Sequence, residues 1–265
     1  MPRASLILMY HRIRSPQCPV PGESPEEARY AVTLEGFSRQ MDHMRKRGYF
    51  GVSLGRAVDG HLEGDGDPQR HVVLTFDDGN RSDHEHALPI LLENGFTATF
   101  FITGNRVGHP EGLGEAEIRS LCASGMEVGS HGMTHRFLSE LSRSDQQSEC
   151  RQSREALSAI TSARVRFFSV PGGRYTGETM GILRELSYEG VCTSVFGYSR
   201  LADDLFGLKR IPVTRSTTPE HFRGFLERSP RILLPAFAEA RSRALARRIL
   251  GERLYAKLRS RMIQE

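Results

Sequence analysis

The run His71-Val72-Val73-Leu74-Thr75-Phe76-Asp77-Asp78-Gly79 decides how this chain is read. Six residues rich in valine, threonine and phenylalanine form a clear β pattern, which breaks off abruptly on two adjacent carboxylates and a glycine. Similar strand-like runs lie to either side, at residues 6–10, 49–54, 97–102, 126–129, 165–170 and 190–195. Between them come helical stretches. One spans 37–48, with Phe37, Met41 and Met44 on one side; another spans 88–94 and is closed by Gly95, a natural helix cap. A third covers 118–124, with Gly125 after it, and a fourth covers 145–160, which reads as polar and surface-facing. Residues 14–30, with Pro16, Pro19, Pro21 and Pro25, and residues 60–68 read as loops. Strands that alternate with helices across short turns predict a parallel sheet or an α/β barrel.

Composition bounds the rest. The chain has 265 residues, suited to one compact α/β domain, and 36 basic against 32 acidic side chains leave a net charge of +4. With 38% hydrophobic and 26% charged residues it is a core-forming chain, which excludes a disordered polymer, a collagen-like fibre and a disulfide scaffold. No apolar run approaches the roughly 18 residues of a membrane span. The first residues carry too short an apolar stretch, and no small-residue cleavage site, for a secretion signal; they read as a buried first strand. Cys18, Cys122, Cys150 and Cys192 lie far apart without a C-x-x-C pair, as expected of reduced cysteines in a cytoplasmic protein.

The basic charge is concentrated at one end. Residues 231–265 hold nine Lys/Arg (Arg231, Arg241, Arg243, Arg247, Arg248, Arg253, Lys257, Arg259, Arg261) against Glu239, Glu252 and Glu265, a balance of +6, so residues 1–230 carry −2. Leu245, Ile249, Leu254, Leu258 and Met262 recur near helical spacing. The chain therefore divides into a body, 1–230, and a basic amphipathic helical tail, 231–265. Such a tail either packs on the body with a solvated basic face or lies on an anionic membrane surface. Tyr255 is the one aromatic interleaved with the basic residues of 241–261, so nucleic acid is not an expected partner.

Three constellations follow strand ends, where parallel α/β folds keep their functional residues. Asp77 and Asp78 leave the strand in different directions, so one can hold a cation while its neighbour faces a substrate; the alternative is a plain Asp-Asp-Gly turn. Ser130-His131-Gly132-Met133-Thr134-His135 places two imidazoles four apart. On a helical turn they would face one way and, with a carboxylate, form a three-ligand set of catalytic type with open positions. Pro171-Gly172-Gly173-Arg174 forces a turn whose backbone N–H groups can point inward to stabilise an oxyanion, or which is simply tight.

Together these residues resemble the polysaccharide deacetylase family, carbohydrate esterase family 4 with its NodB homology domain. The motif T-F-D-D-G is matched at Thr75 to Gly79, and H-[ST]-x-x-H at His131 and His135, with Gly132 where Ser or Thr is usual. The resemblance covers roughly residues 6–215 and leaves the tail outside it. It implies an α/β fold of the distorted (β/α) barrel type, Asp77 as general base, and Asp78, His131 and His135 as ligands of a divalent ion. Zinc is expected first, with cobalt, nickel and manganese as alternatives. It implies removal of an N-acetyl group from an amino sugar in a polysaccharide, an oligosaccharide or a lipid-linked glycan precursor. The oxyanion would be met by the Gly172 N–H next to Pro171.

The departures matter as much. Ser169 stands where the family's third motif carries an arginine that holds the base; Arg174 is the substitute nearest in sequence. The fifth motif, L-x-x-H, is missing near the C-terminus, where the only histidine after Arg215 is His221. Leu8-Met9-Tyr10-His11 supplies it at the N-terminus instead. The chain thus resembles a circularly permuted branch, with His11 as general acid, although a buried loop histidine satisfied by backbone is the alternative. No aspartate partner for His11 is identifiable. A non-catalytic carbohydrate-binding or scaffold protein, and a deformylase on a similar sugar, are the rival readings. The enzyme is expected in the cytoplasm, its tail peripheral to the inner membrane face.

Overall fold

The computed structural model of the protein describes residues 4–15, 24–60 and 70–264, leaving out the side chains of residues 26, 247, 248 and 250–264. The proline-rich part of the first expected loop (Pro16, Pro19, Pro21) and most of the second lie outside the described residues. The elements in order are β1 (Leu6–Tyr10), β2 (Arg12–Arg14), α1 (Pro25–Tyr30), β3 (Ala31–Thr33), α2 (Leu34–Lys46), β4 (Phe50–Val52), α3 (Leu54–Asp59) and β5 (His71–Phe76). A π-helical turn over Asp83–Ala87 runs into α4 (Leu88–Glu93), then β6 (Thr99–Ile102), α5 (Glu115–Ala123), β7 (Glu127–Ser130) and α6 (Arg143–Thr161). The chain finishes with β8 (Phe167–Ser169), α7 (Gly177–Glu185), β9 (Gly190–Phe196), β10 (Phe206–Pro212), α8 (Pro219–Leu226) and α9 (Pro230–Gln264).

The strands β1, β10, β9, β8, β7, β6 and β5 pair in that order, and β5 pairs back onto β1. Seven parallel strands therefore close into a barrel, with β4 lying beside the first half of β5. β1 and β5 are buried along their whole length, as strands sandwiched between an interior and a layer of helices must be. β9 returns to β10 without a helix, and Ser199 on that return bridges antiparallel to Ser5 at the foot of β1.

The barrel interior has two levels. Ile7, Val73, Phe101, Phe167, Cys192 and Leu208, one from each of six ring strands, form a buried cluster with Val52 and Leu54. The seventh strand contributes Gly129, where a Cβ would stand 2.4 Å from Phe101 Cδ1; β7 forgoes a side chain so that this ring can fill the centre. Side chains alternate across a strand, so residues two positions on share that face. Above the cluster the same stripes continue into Thr75 and Asp77, Ser169, Arg210, His131 and His11. The outer faces of the strands pack on the helices in a second, larger core that includes Leu8, Tyr10, Leu74, Phe76 and Phe100.

Several expectations are corrected. β10, α7 and α8 were not foreseen, and α1 lies within the expected loop at 14–30. The helix expected at 145–160 is not surface-facing along its length: Gln146, Glu149 and Ser153 of α6 are buried, a stripe of polar side chains turned inward. The expected boundary at residue 230 falls at the start of α9, whose Ile232, Leu233 and Phe237 pack against the body; the Phe237 ring meets Phe196 edge-on at 5.0 Å. Leu245 and Ile249 are exposed, and the side chains of Leu254, Leu258 and Met262 lie outside the described residues. No helix among the described residues is long and apolar enough to cross a membrane.

Candidate active site

All three constellations meet at the C-terminal mouth of the barrel. Asp78 leaves β5, and His131 and His135 leave β7; one donor atom from each lies within 4.8 Å of the others. The Nε2 atoms of His131 and His135 stand 3.5 and 3.3 Å from Asp78 Oδ1. The histidines are not on a helical turn, as their spacing suggested. Residues 131–137 form a loop in which Gly132 (φ +76°) and His135 (φ +60°) both adopt left-handed backbone. Asp78 is also left-handed at φ +82°, so two non-glycine donors sit in conformations that ordinary side chains avoid, a cost typical of functional sites.

His131 Nδ1 lies 2.8 Å from the Ser169 carbonyl, an acceptor only, so Nδ1 carries the proton and Nε2 presents its lone pair toward Asp78. Burial lowers the His131 pKa to about 4 against the pull of Asp77, so the ring is neutral near pH 7, the form a metal requires. His135 is exposed and its pKa is raised: desolvation is outweighed by its hydrogen bond to Asp78. Burial would raise the Asp78 carboxyl, but His135, His11 and His131 hold it far below the usual carboxylate range. A carboxylate and two imidazoles, graded from buried to open, fit a divalent ion with positions left for water and substrate.

Asp77 is locked from another direction. Arg210 of β10, fully buried, donates to Asp77 Oδ1 from Nη1 at 2.8 Å and to Oδ2 from Nη2 at 2.7 Å. Ser169 Oγ donates to Oδ2 at 3.1 Å and accepts from Arg210 Nη2 at 2.9 Å. Thr75 Oγ1 and the Thr193 carbonyl take the remaining guanidinium donors at 3.2 and 2.9 Å. Burial opposes ionisation of Asp77, yet the guanidinium prevails and holds the carboxyl at about 2. The arginine missing at Ser169 is therefore replaced from β10, and the small Ser169 leaves the room it needs. Arg174 does not take that part: its Nη1 pairs with Glu140 Oε1 at 3.0 Å and its guanidinium covers the Phe137 ring at 3.9 Å.

His11 follows β1, which lies between β10 and β5 in the ring. Its ring stacks on Tyr30 at 4.5 Å, and Nδ1 is buried without a hydrogen-bond partner among the described residues. Gly172 sits in the left-handed turn after Pro171, where a Cβ would meet the Phe137 ring at 2.5 Å. Arg210 escaped the sequence reading because Lys209 and Arg210 interrupt the apolar pattern of β10; the signal was there in Leu208 and Arg210, a charge on the same face as a core residue.

Residues 64–191 match the family model described as polysaccharide deacetylase. That segment belongs to the polysaccharide deacetylase family. The YxkH protein of Bacillus subtilis (strain 168) is 27% identical over 221 residues, 83% of this chain and 75% of YxkH. The chitin deacetylase of Colletotrichum lindemuthianum is 34% identical over 125 residues, 47% of this chain and only 50% of that protein. The deacetylase PplD of Streptococcus pyogenes, solved in complex with acetate, superposes with a TM-score of 0.75 at 27% identity, covering 85% of this chain and 99% of PplD. The chain is thus a hydrolase of amide bonds on the expected barrel.

Proposed function

We propose that this polysaccharide deacetylase removes N-acetyl groups from an amino-sugar glycan, a polysaccharide, oligosaccharide or lipid-linked precursor, with a divalent ion, zinc first, held by Asp78, His131 and His135. The observation that carries the reading is the convergence of those three donors within 4.8 Å beside a buried, ionised Asp77. Such an ion, when bound, polarises the amide carbonyl and brings water near its deprotonation range.

The chain's own residues supply the rest. Asp77 takes the proton of the attacking water. Held at about 2 it is ionised at every working pH, and Arg210 and Ser169 fix the plane of its carboxylate. The Gly172 N–H, presented by the turn after Pro171, receives the developing oxyanion. His11 protonates the leaving amine, which cannot depart as an anion. Tyr30 sets the face of that imidazole, in place of the carboxylate partner the family pattern would provide. The N-terminal position of Leu8-Met9-Tyr10-His11 in a ring otherwise of family type supports the permuted arrangement.

Protein stripped with chelator should lose acetate release from N-acetylglucosamine oligomers and regain it with zinc or cobalt. Asp77→Asn should retain zinc but lose about 10²–10⁴ in kcat. An Asn variant with full activity would remove Asp77 from the chemistry, and indifference to chelation would remove the metal.

A further inference from the structure

The loop that carries both histidines is held from two sides. Its carbonyls are taken by the loop after β6: Gly104 N–H donates to the Gly132 carbonyl at 3.0 Å and Asn105 N–H to the Met133 carbonyl at 2.8 Å. Its N–H groups turn the other way, toward α6. There the buried Glu149 carboxylate accepts from Met133 N–H at 2.9 Å and Thr134 N–H at 2.8 Å through Oε2, and from the Thr134 hydroxyl through Oε1. One helical turn on, Ser153 Oγ meets Ser130 Oγ at 2.6 Å, and Ser130 Oγ accepts from Gly132 N–H at 3.3 Å.

We propose that Glu149 is a positioning residue for the metal ligands: from α6 it fixes the 132–135 turn that aims His131 and His135 at Asp78. The proposal rests on the reading of these three donors as a metal centre. Its physical basis is the donor count. Two backbone N–H groups and a hydroxyl converge on one side chain; an ionised carboxylate accepts from all three through charge-assisted bonds, whereas an amide would lose that charge and would have to turn the Thr134 hydroxyl from donor to acceptor. Two left-handed residues, Gly132 and His135, bracket that turn, and a conformation of this kind persists only where its surroundings over-determine it. A buried carboxylate held by two backbone N–H groups and a hydroxyl is otherwise an expensive choice for a helix. The missing hydroxyl at Gly132 also finds an account. A Cβ at Gly132 would stand 3.4 Å from Glu149 Oε2, so a Ser or Thr there would reach the carboxylate that Thr134 now serves.

The test is zinc affinity of the metal-stripped protein by competition with a chelating dye, together with the visible spectrum of the cobalt form, for wild type, Glu149→Gln, Thr134→Val and Thr134→Ser. Glu149→Gln should weaken zinc about 10–100-fold and alter the cobalt bands, the usual scale for outer-shell partners of metal ligands. Thr134→Val, at an exposed position that does not threaten folding, should weaken zinc by a smaller factor, and Thr134→Ser should bind as wild type does. Folded Gln and Val variants within twofold of wild type, with unchanged cobalt bands, would overturn the positioning role while leaving the metal centre intact. Should Glu149→Gln fail to fold, Thr134→Val against Thr134→Ser decides. A wild type that binds neither ion would instead overturn the metal reading itself, and this proposal with it.

Discussion

The two levels of the barrel interior are made by the same strands under the same alternation, yet they do opposite work. Below, Ile7, Val73, Phe101, Phe167 and Leu208 close a dry cluster. Two to four residues higher on the same stripes, Asp77, Ser169 and Arg210 form a polar, charged layer that is as well buried, with the half-buried His11 at its edge. The lower level gains from every methylene it removes from water, about 25 cal/mol per Å² of apolar surface. The upper level gains little from burial and much from mutual satisfaction: each oxygen of Asp77 has a donor, and Arg210 reaches four acceptor groups. Errors in the lower level should therefore be graded, and errors in the upper level abrupt.

Arg210→Ala is the hardest blow to that contrast. Removing one partner strands a buried Asp77 charge, and we expect about 3–5 kcal/mol of lost stability by denaturant unfolding. Arg210→Ala with Asp77→Asn should recover a good part of it; a double variant as unstable as the single one would mean that packing, not charge, governs this layer. A smaller effect comes from pH. The His131 pKa falls from 6.5 to about 4 on folding, so between those values the unfolded chain binds more protons and stability rises with pH. The metal-free protein should accordingly lose up to about 3 kcal/mol as pH drops from 6.5 toward 4. His131→Gln should flatten that slope, and an unchanged slope would assign it to another group. Least of all, Ile7→Val in the lower level should cost about 0.5–1.5 kcal/mol and leave zinc affinity as it was, measured on the same samples.

How far the chain could be read without coordinates follows the same division. Asp77, Asp78, His131 and His135 were legible because each lies within a few residues of an apolar run that announces a strand end. The closed barrel was legible as a family fold, and β1 as a first strand. Arg210 was not, since its contact with Asp77 spans 133 positions and exists only once β10 meets β1. Glu149 was hidden differently. Gln146, Glu149 and Ser153 have the composition of a solvated helix face, and only the packing of α6 on the barrel turns that face inward. The spacing of His131 and His135 suggested a helical turn, where the intervening glycine instead serves a left-handed one.

The exchange of an arginine for Ser169 has a practical corollary for anyone transplanting parts between relatives. The barrel mouth has room for one guanidinium against Asp77, delivered from either strand. Restoring the family's usual residue at 169 alone would crowd two cations onto one acid, and deleting Arg210 alone would leave that acid bare. Grafts across this family must carry both strands of the pair or neither.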